Sequence, residues 1–128
     1  MQAATVLSRH FGTPFFTEHS LAIGQPPKAH KFDLASENGS YIGESKNYCW
    51  TEGGNTPSAK LAFLNEAVFY LQHVPPGKYR FVVLRRDVHP TTGQSLAEYF
   101  YRTSQHLLNG VVVIEIDVEA GSVRTFGE

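Results

Sequence analysis

The segment KFDLASENGSYIGESKNYCW, Lys31 to Trp50, decides how the chain is read. Lys31–Ser36 and Tyr41–Cys49 are rich in strand formers, and Glu37-Asn38-Gly39-Ser40 between them carries the Asn-Gly turn signal. A symmetric turn centred on Asn38-Gly39 pairs Glu37 with Ser40. Counting outward, it sets Asp33 across from Glu44. Two carboxylates facing each other repel, so either a cation lies between them or one of them holds a proton. Lys46, two residues beyond Glu44, projects from the same face and adds a positive charge.

Oxygen ligands gathered from two strands suit a hard divalent ion. Mg²⁺ takes one or two carboxylates and completes its shell with water and substrate phosphate. The constellation therefore points to phosphodiester chemistry, with Lys46 placed to orient a water or to offset developing negative charge. The plain alternative is a solvated hairpin face with a surface ion pair.

On either side of the hairpin the chain alternates helices and strands. Ala3–Phe11 reads as a short amphipathic helix, broken by Gly12-Thr13-Pro14, and Phe15–Ile23 as a first strand that completes an antiparallel meander. Thr56-Pro57 offers an N-cap and a first helical proline. Pro57 to about His73 then places Leu61, Leu64, Val68 and Leu71 on one stripe. Pro75-Pro76-Gly77 ends that helix. Tyr79–Leu84 reads as an inner strand, and Ser95 with Glu98 opens a capping-box helix running through Leu107 to Asn109-Gly110. Val111–Val118 reads as the last buried strand. The predicted order is α-β-β-β-α-β-α-β, a mixed sheet of about five strands flanked by helices, in one α/β domain over residues 1–128.

Composition narrows the function. The 128 residues carry a formal net charge of -1, far from the basic excess of a protein that coats nucleic acid, so any polyanion is bound locally. No apolar run has the length of a membrane span, and the start lacks the pattern of a secretory signal. The lone Cys49 suits a reducing cytoplasm and reads as a buried thiol, not a nucleophile. The six histidines show no close zinc spacing.

Phe32-Asp33, ten intervening residues and then Glu44-Ser45-Lys46 resemble the signature of the PD-(D/E)XK nuclease superfamily, and the order of elements resembles its restriction-endonuclease-like core. The resemblance covers nearly the whole chain. It implies that Asp33, Glu44 and the backbone carbonyl of Ser45 hold Mg²⁺ or Mn²⁺, and that Lys46 serves the attacking water. Phe32 stands where the motif has proline. The first helix lacks the acid that many relatives place there, and Glu18 is the nearest substitute. Glu66 and Tyr70 stand one turn apart on the helix after the motif, similar in spacing to the Gln-x-x-x-Tyr of some branches.

His30, Lys31, Lys60, Arg85 and Arg86 are candidate phosphate contacts, each weighed against simple exposure. Tyr48 and Trp50 are weighed between stacking on bases and closing the core. The expected function is metal-dependent hydrolysis of DNA, with RNA second, by a cytoplasmic homodimer. The alternatives are a catalytically inactive module of the same fold, binding nucleic acid or a protein partner, and an interaction protein that touches no nucleic acid.

Overall fold

A computed structural model describes residues 2–128. The chain forms one small α/β domain: α1 (Ala3–Phe11), β1 (Phe15–Ile23), β2 (Lys28–Ser36), β3 (Tyr41–Lys46), α2 (Ser58–Leu71), β4 (Tyr79–Arg85), α3 (Leu96–Ser104), one 3-10 turn (Gln105–Leu107), β5 (Val112–Asp117) and β6 (Ser122–Phe126). All six strands lie in one mixed sheet whose spatial order follows chain order, β1 to β6. β3, β4 and β5 run parallel and the remaining pairs antiparallel. Parallel neighbours need a crossover, and α2 and α3 provide the two.

The centre of the sheet is buried on both sides, which is why β4 is a nearly unbroken apolar run. Phe81 and Val83 face α1 with Leu7, Val112, Ile114 and Ile116. Val82 and Leu84 face α2 and α3, where Leu64, Val68, Leu71 and Phe100 fill the space. On β3 the same alternation sends Ile42 under α2 and leaves Gly43 against the ring of Phe81, where a Cβ would overlap the aromatic carbons.

The counted register holds: Leu34 pairs with Gly43 and Ala35 with Ile42, so Asp33 comes next across from Glu44. The turn uses Gly39 at φ 74°, and Asn38 Oδ1 accepts hydrogen bonds from Ser36 Oγ and Ser40 N–H. The capping box also forms, with Ser95 Oγ accepting from Glu98 N–H and the Glu98 carboxylate accepting from Ser95 N–H.

Several expectations need correction. A sixth strand, β6, follows Val111–Val118. It was hidden because its two apolar residues serve opposite faces, Val123 toward α1 and Phe126 toward α2 and α3, so no period-2 apolar row appears. β3 stops at Lys46 because Trp50 leaves the sheet: its N–H donates to Asp87 Oδ2 and its indole N–H to Asp87 O. That departure exposes Cys49, against the expectation of a buried thiol. β2 begins at Lys28, not Lys31, since its pairing with β1 continues to Ile23–Lys28. The Thr56 cap is not made; α2 starts at Ser58 without a side-chain cap. α3 ends at Ser104 and tightens into the 3-10 turn, leaving Leu107 exposed.

Replacing Gly43 with Ala drives a methyl group into Phe81, an overpacking expected to cost about 1–3 kcal/mol. Urea denaturation of Gly43→Ala against the unmodified protein measures it. Phe81→Leu in the same chain should recover part of the loss, and equal midpoints for Gly43→Ala and the parent would refute the tight contact.

Candidate active site

Between Phe32 and Leu34 the hairpin changes face. Residues two apart on a strand normally share a face, yet Phe32 packs under α2 and α3 while Leu34 packs under α1. β1 turns over at the same place, since Phe15 lies on the α1 side and Ile23 on the other. Glu18 faces Asp33 at this crossing, between the pairs Thr17–Leu34 and His19–Phe32, with φ 57°. A positive φ is uncommon for a side chain such as glutamate and marks a local distortion.

Asp33 thus sits at a twist point where β2 also parts from β3. Its Oδ2 accepts the Ser45 N–H at 2.9 Å, so a side chain bridges the two strands just beyond their outermost backbone pair, Leu34–Gly43. The opening is a cleft of about 270 Å³ under α2, lined among others by Asp33, Glu44, Lys46, His30, Lys31 and Glu66.

Glu44 is the most perturbed group here. It is 6% exposed, and burial together with the neighbouring Asp33 carboxyl raises its pKa from 4.5 to about 8, with Lys46 pulling the other way. Two carboxyl groups in contact cannot both ionise cheaply in a buried place. The site therefore holds a proton on Glu44 at neutral pH, or needs a cation. His30 Nε2 lies 3.3 Å from Glu44 Oε1, and its ring stacks on Tyr70 with centroids 4.1 Å apart.

The structure brings Asp33, Glu44, Lys46, His30 and Lys31 together. Lys60 stands at one end of the cleft, its Nζ 5.4 Å from the centroid of the Tyr48 ring and 6.0 Å from that of Phe63. Tyr48 itself packs against the core. Glu18 is not brought to the cleft; it shares a recess on the α1 face with Asp33 and Ser45, without Glu44. Arg85 and Arg86 are also elsewhere. They border a different recess beside Asp87, Asp117 and Glu119, and Arg86 is engaged by buried Glu115 at 3.1 Å.

Glu66, Tyr70 and Phe63 of α2 line the cleft as well. The Glu66–Tyr70 spacing signals the first two in the sequence. Phe63 carries no such signal, because an apolar residue on a helix that packs on a sheet reads as core.

A hard divalent cation fits these residues. The donors are oxygens, the Asp33 and Glu44 carboxyls meet with His30 Nε2 and Lys46 beside them, and the cleft has room for water. Among the described residues no three His, Cys, Asp or Glu side chains converge into a full metal cage. Two carboxylates with water and substrate completing the shell is the arrangement Mg²⁺ accepts.

No protein-family model matches the chain, and no curated protein and no solved structure matches it significantly.

The raised Glu44 pKa has a consequence for stability without metal. The folded protein binds the Glu44 proton more tightly than the unfolded chain, so this contribution is complete below pH 4.5 and is lost as pH rises to about 8. The loss is on the order of a few kcal/mol. Thermal melts in chelator from pH 4 to 9 should show a decline that Glu44→Gln flattens. Parallel curves for the two proteins would contradict the buried, proton-holding carboxyl.

Proposed function

We propose that the chain is a metal-dependent nuclease of the PD-(D/E)XK type with a restriction-endonuclease-like fold, hydrolysing phosphodiester bonds of DNA. The observation that carries this reading is the meeting of the Asp33 and Glu44 carboxyls in a cleft that Lys46 also lines. The succession of a helix, a three-strand meander and two helical crossovers supports it.

Asp33, Glu44 and the Ser45 carbonyl are the ligands for Mg²⁺ or Mn²⁺. When bound, the ion supplies charge neutralisation at the phosphate and makes hydroxide accessible near neutral pH. Glu44 would hold such an ion as the carboxylate, its proton passing to solvent, since opposite charge favours the ionised form. Ser45 N–H holds Asp33 in place. Lys46 orients the attacking water and offsets the negative charge that builds on the phosphate oxygens. Water adds to phosphorus and releases a proton to solvent, the bond to the leaving oxygen breaks, and that oxygen takes a proton from a second water. Lys31 and Lys60 meet neighbouring phosphates at the cleft.

A second reading, a module of the same fold that binds nucleic acid or a protein without cutting it, is favoured by one observation. His30 Nε2 already engages Glu44 Oε1, an oxygen that a metal would take.

The test is cleavage of linear, circular, single-stranded and branched DNA, and of RNA, in Mg²⁺, in Mn²⁺ and in chelator. Metal-dependent cutting is expected, and Lys46→Ala should lower it about 100-fold or more with the fold retained. Calorimetric titration with Mg²⁺ should lose its signal in Glu44→Ala. A folded protein that cuts nothing in the panel moves the assignment to the binding module. A homodimer is expected for the cutting enzyme, and light scattering that returns a monomer removes that element.

A further inference from the structure

The cleft does not end at His30 and Tyr70. The stacked pair of rings forms a wall, and on its far side lies a second recess of about 560 Å³, between the tip of the β1–β2 hairpin and the last turns of α2. Phe69, Tyr70 and His73 line the helix side, and Lys28 and His30 the hairpin side. Phe69 is 60% exposed, with its ring in edge contact with His73 at 4.9 Å. At the other end of the cleft stands Phe63, 49% exposed, under Lys60.

A half-exposed phenylalanine is ordinary on a protein surface; what sets Phe63 and Phe69 apart from the equally exposed Phe16 is that they line the cleft and the recess. Cations accompany these two. Of the five lysines in the sequence, Lys28 lines this recess, Lys31 and Lys46 line the cleft, and Lys60 lies 6.0 Å from the ring of Phe63, while Lys78 is elsewhere, donating to Gly39 O. The lysines thus lie along one aromatic track, in a cleft that also holds the acids Asp33, Glu44 and Glu66. Rings for base faces and ammonium groups for phosphates are the two components of single-strand recognition. A duplex keeps its bases stacked on each other and offers no free faces to such rings.

We propose that the substrate strand is unpaired, with one base held in the recess against Phe69 and His73 and its backbone running past His30 into the cleft. The inference deepens the nuclease reading and rests on it only for the location of the phosphate that is cut. The recess volume suits a small planar ligand group, and the His30–Tyr70 wall that it shares with the cleft sets where the strand must cross from one to the other.

Fluorescence anisotropy tests this with the full chain and a dye-labelled oligonucleotide, single-stranded or annealed to its complement, in chelator so that nothing is cut. The single strand is expected to bind about ten-fold or more tightly than the duplex. Phe69→Ala should weaken it by about 5- to 100-fold, the loss of one stacked base, while Phe69→Trp retains binding. Phe16→Ala, an equally exposed ring that lines neither recess, is expected to change nothing.

Duplex bound as tightly as single strand, no binding of either, or Phe69→Ala with unchanged affinity would each overturn the inference. Because binding is read without metal, the two readings fail separately. Single-strand binding lost in Phe69→Ala, with no cutting in Mg²⁺ or Mn²⁺, removes the nuclease alone. Metal-dependent cutting of duplex without single-strand preference removes the unpaired substrate alone.

Discussion

The hydrogen bond from Ser45 N–H to Asp33 Oδ2 is the interaction on which the arrangement of the cleft depends. A β-ladder normally satisfies each backbone donor with a carbonyl from the next strand. At Ser45 a carboxylate does this instead, so β2 is free to twist away without stranding the donor. The twist rotates the outer half of the hairpin toward α2, which carries His30 and Lys31 to the side where Glu44 and Lys46 project.

The placement of Glu44 follows from the same geometry. It projects beside Ile42, toward α2, under a helix whose apolar stripe seals the core. Burial alone disfavours its charge, and the Asp33 carboxyl adds to the effect. An acid kept neutral in this way is costly as architecture and useful as a ready receptor for positive charge. At the opposite edge buried Glu115 shows the contrasting solution, with Arg86 and Arg124 within 3.1 and 3.0 Å of its Oε1. The protein thus treats two buried acids differently: one is closed off by arginines and the other is left open to a cleft.

Much of this was legible in the sequence because it rests on local rules. The Asn38-Gly39 turn fixes the register, the register sets Asp33 across from Glu44, and period two puts Lys46 beside them. The Ser95–Glu98 box is likewise a short-range pattern. What escaped depends on tertiary contacts. The face change at Asp33 has no signature in residue types, since strand alternation is the only rule available. The divergence of Trp50 is set by Asp87, distant in sequence. The separation of Glu18, Arg85 and Arg86 from the cleft follows from which side of the sheet, and which recess, each one borders. β6 splits its apolar residues between two cores, so its pattern resembles a loop.

The sheet order repeats the chain order from first strand to last, and this bears on how the molecule assembles in time. Every strand finds its partners among its immediate neighbours in sequence, so no segment has to thread past another. The β1–β2 hairpin and its turn into β3 are closed by short loops, which keeps their entropic cost low. The two parallel pairings must wait for whole crossover helices. Asp33, Glu44 and Lys46 all precede α2, so contacts local in sequence bring them together, whereas their enclosure is a long-range contact that costs the closure of a longer loop. The site is thus split between two kinds of contact: a hairpin defines which groups meet, and the docking of α2 defines how far water is kept from them.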